Sequence, residues 1–202
     1  ITGDGGFDFS TNFNNQECMA FRLIFTQLSY AITMQKYGGT FILKIYDIFL
    51  KPTLQILYLL STFYTNIYIT KPNTSRYANS EKYLVCTDFR YRDTSIISQK
   101  FHDIIKVINT VDMTKYQIKS IIDIPIQLYF INQIEEINAI LGQQQVENIV
   151  NTIKLINLNE KKSEKIENMK NQNIQKCINW CIQNKIPYNK FIQPTNIFMR
   201  KT

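Results

Sequence analysis

The sequence predicts an α/β protein, with strands and helices alternating over residues 1–92 and an α-helical extension over residues 93–202. Three observations carry that reading. Short β-branched and aromatic runs at residues 40–46, 66–70 and 82–86 are interleaved with apolar stretches of helical period. Beyond residue 92 glycine all but vanishes, Gly142 being the only one left, and apolar spacings of three and four take over. A hydrophobic content of 45% over 202 residues suffices for one substantial core with a helical addition.

In chain order, residues 17–37 place Phe21, Ile24, Leu28 and Ile32 at helical spacing, and Gly38-Gly39 is expected to stop that helix. A strand over residues 40–46 follows at once. Pro52 opens an apolar helix running to about residue 64, and the strands at 66–70 and 82–86 complete the alternation. This is the order of a doubly wound sheet, whose ligands sit beyond the carboxyl ends of the strands, where Asp4 and Lys44 fall. Further on, Ile97, Phe101, Ile104 and Ile108 form one helical stripe. Leu128, Ile131, Ile134, Ile137 and Leu141 form another, expected to break at Gly142 and to resume from Val146 through Ile149, Ile153 and Ile156. The alternating charges of residues 160–170 read as a solvated helix face or a linker, leading into Ile174, Cys177, Ile178, Cys181 and Ile182. Pro187 ends the last helix, and Pro194 marks a tail expected to be disordered.

The net charge is +7, and most of the basic excess lies in the second half: residues 1–90 hold 8 Lys/Arg against 6 Asp/Glu, residues 91–202 hold 15 against 10. Such a balance suits attraction to phosphate without specifying it. Four scattered cysteines, Cys18, Cys86, Cys177 and Cys181, are too few for a disulfide framework and point to a reducing compartment. Cys177 and Cys181 share a helical face, but with His102 the single histidine they make no zinc set; core packing is the expectation, and no metal is predicted. The apolar run at residues 52–64 is too short to cross a bilayer, so no membrane partner is expected. No signal peptide is visible, and a sequence opening on Ile1 leaves a targeting segment open.

Chemistry enters with three segments: Gly3-Asp4-Gly5-Gly6-Phe7-Asp8-Phe9, Phe41-Ile42-Leu43-Lys44-Ile45 and Thr74-Ser75-Arg76-Tyr77-Ala78-Asn79-Ser80-Glu81. They set an acid, a base and an acid at the ends of successive strands. A buried parallel strand is ordinarily apolar throughout, so Lys44 is either paired, placed at the strand's open end, or snorkelling from a sheet edge. Asp4-Gly5-Gly6 by itself is a turn, and Glu81 by itself a surface carboxylate paired with Lys82 or Arg76.

Together these segments resemble the second half of the FtsJ-like RNA 2'-O-methyltransferases, and the Asp-Gly-Gly-Phe version most resembles the cap-specific mRNA (nucleoside-2'-O-)methyltransferases of large DNA viruses and eukaryotes. The resemblance covers about residues 1–90. It implies the C-terminal half of a Rossmann-like S-adenosylmethionine-dependent methyltransferase sheet, over residues 1–92. That family uses a Lys-Asp-Lys-Glu tetrad, and the resemblance assigns Asp4, Lys44 and Glu81 to its last three members. The first lysine and the glycine-rich donor loop would lie before Ile1, so the chain is expected to be the C-terminal part of an enzyme, inactive by itself. The implied cofactor is S-adenosyl-L-methionine, held in part by Asp4 and Gly5, and the implied substrate contacts are Ser75, Arg76 and Asn79. Tyr77 stands where the family often has proline, which alters the loop but removes no functional group.

The implied function is methyl transfer to a ribose 2'-hydroxyl of RNA, at the first transcribed nucleotide of capped mRNA, with Lys44 as base. Ribosomal RNA is the alternative substrate, and a noncatalytic RNA-binding or scaffold subunit the alternative role. Implied partners are capped RNA and the capping or transcription machinery, in the cytoplasm, including a viral factory, or in the nucleus. Phe7, Phe9 and Phe13 are either a stacking platform for bases or core residues against the first helix, and His102 reads as a satisfied or surface histidine.

Overall fold

A four-stranded mixed sheet carries the first ninety residues, in the order β1-β2-β4-β3. Its strands are β1 (Thr2–Gly3), β2 (Phe41–Ile45), β3 (Tyr64–Thr70) and β4 (Lys82–Phe89). Helix α1 (Gln16–Met34) joins β1 to β2, and α2 (Lys51–Phe63) joins β2 to β3. Helices α3 (Ser95–Thr110), α4 (Leu128–Ile156) and α5 (Lys162–Gln183) follow. The computed structural model describes residues 1–9, 13–73, 75–113, 115–158 and 162–188; Thr74, Glu160 and the tail with Pro194 lie outside the described residues, as does the side chain of Phe13. Ile1–Ile149 form one compact unit, and Val150–Thr202 a second.

β1 runs parallel to β2, with Thr2 opposite Ile42, whereas β4 is antiparallel to both β2 and β3. That reversal positions the site. The start of an antiparallel strand lies at the same sheet edge as the ends of its neighbours, so residues just before β4 meet those ending β1 and β2.

Alternation decides which side chains reach the core. Phe41, Leu43 and Ile45 of β2 and Leu84 and Cys86 of β4 are buried with Ile24, Leu28 and Ile32 of α1 and Ile56, Leu57 and Leu60 of α2. Ile42, Lys44, Tyr83 and Val85 occupy the opposite sheet face, where they are half-buried. Burial pushes the Cys86 thiol up to about 12, so it stays an inert thiol. α3 closes over α1: the Phe101 ring lies 5.6 Å from Phe25 and 6.0 Å from Phe63.

Three expectations are corrected. α1 ends at Met34 rather than at the glycine pair, and Gln35 is already extended. Gly38, at φ 73°, instead turns the chain into β2, its N–H donating to Phe89 O at 2.8 Å while Gly39 O accepts from Phe89 N at 3.1 Å. α4 runs unbroken through Gly142, because a single helical glycine costs about 1 kcal/mol, too little to split a helix of 29 residues. Cys177 is exposed and Cys181 half-buried on α5, which buries no residue, so that pair is not core. Among the described residues no group of three or more His, Cys, Asp or Glu comes together, and no helix is long and apolar enough to cross a membrane.

Candidate active site

β1 ends at Gly3, and the turn that follows lays Asp4 beside the last residues of β2. Lys44 Nζ lies 2.9 Å from Asp4 Oδ1 and donates to the Asp4 carbonyl at 3.0 Å. Directly across the ladder from Lys44 stands Tyr83, whose hydroxyl donates to Asp4 Oδ1 at 3.3 Å. One carboxylate oxygen thus accepts from both an ammonium and a phenol. The Lys44 hydrogen bond holds the Asp4 carboxyl below its ordinary value against a small desolvation, with the lysine's charge and the Tyr83 hydrogen bond adding to it. For Lys44, burial opposes the charge, but the Asp4 hydrogen bond and the fields of Tyr46, Asp4 and Tyr83 outweigh it and raise its pKa. The pair is therefore an ammonium and a carboxylate at neutrality.

Glycine makes this approach possible at Gly6. A Cβ there would sit 3.0 Å from the Tyr46 hydroxyl and 3.4 Å from Lys44 Nζ. Gly5 is fixed from α1, its N–H donating to Gln27 Oε1 at 3.1 Å, and a Cβ at Gly5 would meet Leu23 at 2.9 Å. Tyr46 packs edge-on against Phe9, with ring centroids 5.3 Å apart. Phe9 is therefore a core residue, whereas Phe7 is 59% exposed beside it.

Glu81, just before β4, has the Ser75 hydroxyl as its hydrogen-bond donor at 2.9 Å, and neither Lys82 nor Arg76. Its charge is felt by both Tyr46 and Tyr83, whose pKa values are raised chiefly by burial and further by Glu81 and Asp4, with Lys44 opposing. Asp4, Lys44 and Glu81 thus share one electrostatic neighbourhood through two phenols. Lys82 points the other way: it is buried, paired with Asp47 at 3.3 Å and bonded to the carbonyls of Tyr46 and Ser80. Of the substrate-contact candidates, Ser75 and Asn79 face each other across the 71–81 loop at 3.5 Å, and Arg76 is exposed on it. Tyr77 bonds Asn73 at 3.5 Å within the same loop.

Sequence reading passed over Tyr83, Tyr46, Gln27 and Lys71. The first had a signal: on β4 the alternation that buries Leu84 puts Tyr83 on the face of Lys44. His102 is exposed, as expected, and lines a groove between α1 and α3 with Arg22, Tyr30 and Gln99.

Residues 1–89 match the sequence profile of the FtsJ-like methyltransferase family. Cap-specific mRNA (nucleoside-2'-O-)-methyltransferase 1 of Trypanosoma brucei brucei is 40% identical over 90 residues, which are 44% of this chain and 24% of that protein. The Caenorhabditis elegans protein of the same name is 34% identical over 99 residues, 49% of this chain and 11% of its own length. A Caenorhabditis briggsae relative named inactive cap-specific mRNA (nucleoside-2'-O-)-methyltransferase 1B is 32% identical over 99 residues, 49% of this chain and 12% of its own. The chain spans at most about a quarter of the length of these relatives. With the sheet order and the paired Asp4 and Lys44 at its carboxyl edge, residues 1–89 are a segment of an FtsJ-like methyltransferase domain.

Proposed function

We propose that the chain carries the catalytic edge of an RNA 2'-O-methyltransferase acting on the first transcribed nucleotide of capped mRNA, with S-adenosyl-L-methionine as methyl donor. The observation that carries the reading is the Lys44–Asp4 pair, set at the carboxyl ends of β1 and β2 in a sequence similar to proteins named for that reaction. Capped transcripts are the substrate, the capping or transcription machinery the partner, and the nucleus or cytoplasm the place of action.

The residues present fit the donor in kind. Asp4 offers an exposed carboxylate, and Gly5-Gly6 a stretch of backbone that a side chain would crowd. The cofactor supplies a methyl group activated on a sulfonium. Asp4 and Gly5 would hold it, leaving Lys44 toward the ribose. As the hydroxyl oxygen bonds to the methyl carbon and the methyl–sulfur bond breaks, the hydroxyl proton must leave, and a neutral Lys44 amine would take it. A lysine ordinarily titrates near ~10.4, so acting as a base near neutrality costs about 4 kcal/mol. Asp4 makes that harder by raising the Lys44 pKa, and a second cation beside the pair would ease it. While charged, Lys44 orients the hydroxyl oxygen as a hydrogen-bond donor. Ser75, Arg76 and Asn79 would contact the RNA, Arg76 through phosphate.

A second reading, a noncatalytic RNA-binding subunit, draws on that raised pKa and on the relative named inactive. Lys44→Ala separates the two. With capped and uncapped RNA oligonucleotides and labelled donor, the enzyme loses at least about a hundredfold in kcat while its RNA affinity changes little. A Lys44→Ala variant that keeps the wild-type turnover supports the noncatalytic role, and turnover indifferent to the cap moves the substrate to uncapped RNA.

A further inference from the structure

The loop from residue 71 to residue 81 carries every residue assigned to substrate contact, yet it lies between β3 and β4 without a ladder of its own. Two backbone bonds turn it, Ser75 N–H to Pro72 O at 2.9 Å and Asn79 N–H to Arg76 O at 3.2 Å. What closes it is a side chain. Lys71 Nζ donates to Asn79 O at 2.9 Å, to Asn79 Oδ1 at 2.9 Å and to Glu81 O at 2.8 Å. An ammonium has three protons, and all three find acceptors within one loop. The arrangement holds against cost, since burial and the neighbouring Lys82 both work against the Lys71 charge.

The chemistry of the lysine also settles the orientation of an amide. An ammonium only donates, so the Asn79 atom facing Lys71 must be the oxygen. Ser75 Oγ approaches the same oxygen at 3.5 Å. The NH2 group is then directed away from Lys71, and the loop presents donors, the Asn79 amide and the Arg76 guanidinium, beside Glu81.

We propose that Lys71 is a positioning residue for RNA recognition: it clamps the 71–81 loop and, by taking Asn79 Oδ1, fixes the Asn79 NH2 as a donor to phosphate or ribose oxygens of the RNA. The inference rests on the reading of this loop as an RNA contact, and its clamp is testable without RNA. Amide hydrogen exchange is measured on the full chain and on Lys71→Met. Amides of residues 75–81 exchange at least about tenfold faster in the variant while those of β2 keep their protection; unchanged loop protection overturns the clamp. If the Met variant loses protection in β2 as well, Lys71→Gln, which keeps a neutral donor, takes its place with the same two outcomes. The orienting role is read with a short capped RNA oligonucleotide in a double-mutant cycle. Asn79→Ala weakens binding about tenfold in the wild type and by less than about threefold in Lys71→Met, because the amide is already adrift there. Equal losses in both backgrounds overturn the orienting role and leave Lys71 as a point charge. A wild type that fails to bind the RNA refutes the RNA reading and the orienting role with it, while the exchange result still decides the clamp.

Discussion

Lys44 is the residue on which the chemistry turns, and its protonation is set by opposing terms. Burial disfavours the ammonium; Asp4, 2.9 Å away, favours it and prevails. The signs fix the pH behaviour. Lys44 has a folded pKa raised above 10.5, so its contribution to stability is present below that value and lost as pH rises through the folded pKa. Asp4 is depressed below 3.8, so its contribution is present above that value and lost as pH falls through its folded pKa. Between the two the ion pair is intact, and because the Asp4 side chain is 70% exposed it adds little to stability. Its effect is on the amine. Asp4→Asn removes the opposing anion and leaves burial as the larger influence, so the Lys44 pKa falls. NMR titration of the lysine side-chain carbon next to Nζ reads this directly, and an unchanged pKa would show that Asp4 does not govern the amine.

At the scale of elements, the loop after β2 is held from both sides. Lys82 grips the Tyr46 carbonyl and Asp47 from β4, and Glu17 reaches from the first turn of α1. The Glu17 carboxylate accepts from the N–H groups of Phe49 at 3.1 Å and Leu50 at 2.9 Å, at the N-terminus of α2, whose own cap residue Leu50 has no capping side chain. A capping carboxylate is normally local; here a different helix supplies it. Glu17→Ala removes the cap from those part-buried donors and costs about 0.5–2 kcal/mol, a fall in Tm of several degrees. Burial raises the Glu17 pKa above 4.5, with Asp47 adding and the hydrogen bonds from Thr53, Leu50 and Phe49 opposing. The folded state therefore holds this proton more tightly, and the group's contribution to stability declines as pH rises from 4.5 through the folded pKa. Glu17→Gln abolishes that slope in denaturant titrations carried upward from pH 4.5; a slope identical to wild type would show that Glu17 does not cause it.

At the scale of the molecule, the sheet is not self-sufficient. Gln55 of α2 is fully buried, and its amide bonds Ser120 and the backbone of Ile121 and Ile122 at 2.8–2.9 Å. Phe130 of α4 packs edge-on against Tyr58, and Asn138 donates to the Ile48 carbonyl at 2.8 Å, in the loop that follows Lys44 and Tyr46. Arg22 of α1 donates to the carbonyls of Ile108 and Val111 at the end of α3. A chain cut after Arg92 exposes Phe25, Phe63 and Gln55 together. It is expected to bind a hydrophobic dye and to melt less cooperatively than the whole chain. A sharp transition in the 1–92 fragment would mean that the helical extension folds apart from the sheet.

The sequence by itself determined the strand and helix order, because period-two and period-three-to-four apolar patterns are local, and it put Asp4, Lys44 and Glu81 at strand ends. Recognition of the three motifs supplied the family resemblance, which the match over residues 1–89 bears out. Tertiary structure decided the rest. Only the antiparallel setting of β4 brings Glu81 to the edge that holds Asp4 and Lys44, and direction within a sheet is set by long-range pairing that no local pattern encodes. Lys71 had no local signal, because it acts across a loop of 8–10 residues, and Tyr83, whose face the alternation made readable, gained its partner Asp4 only from the ladder that sets it opposite Lys44. The helix expected to break at Gly142 stays whole, because the cost of one glycine is small beside the hydrogen bonds of the 29-residue helix around it.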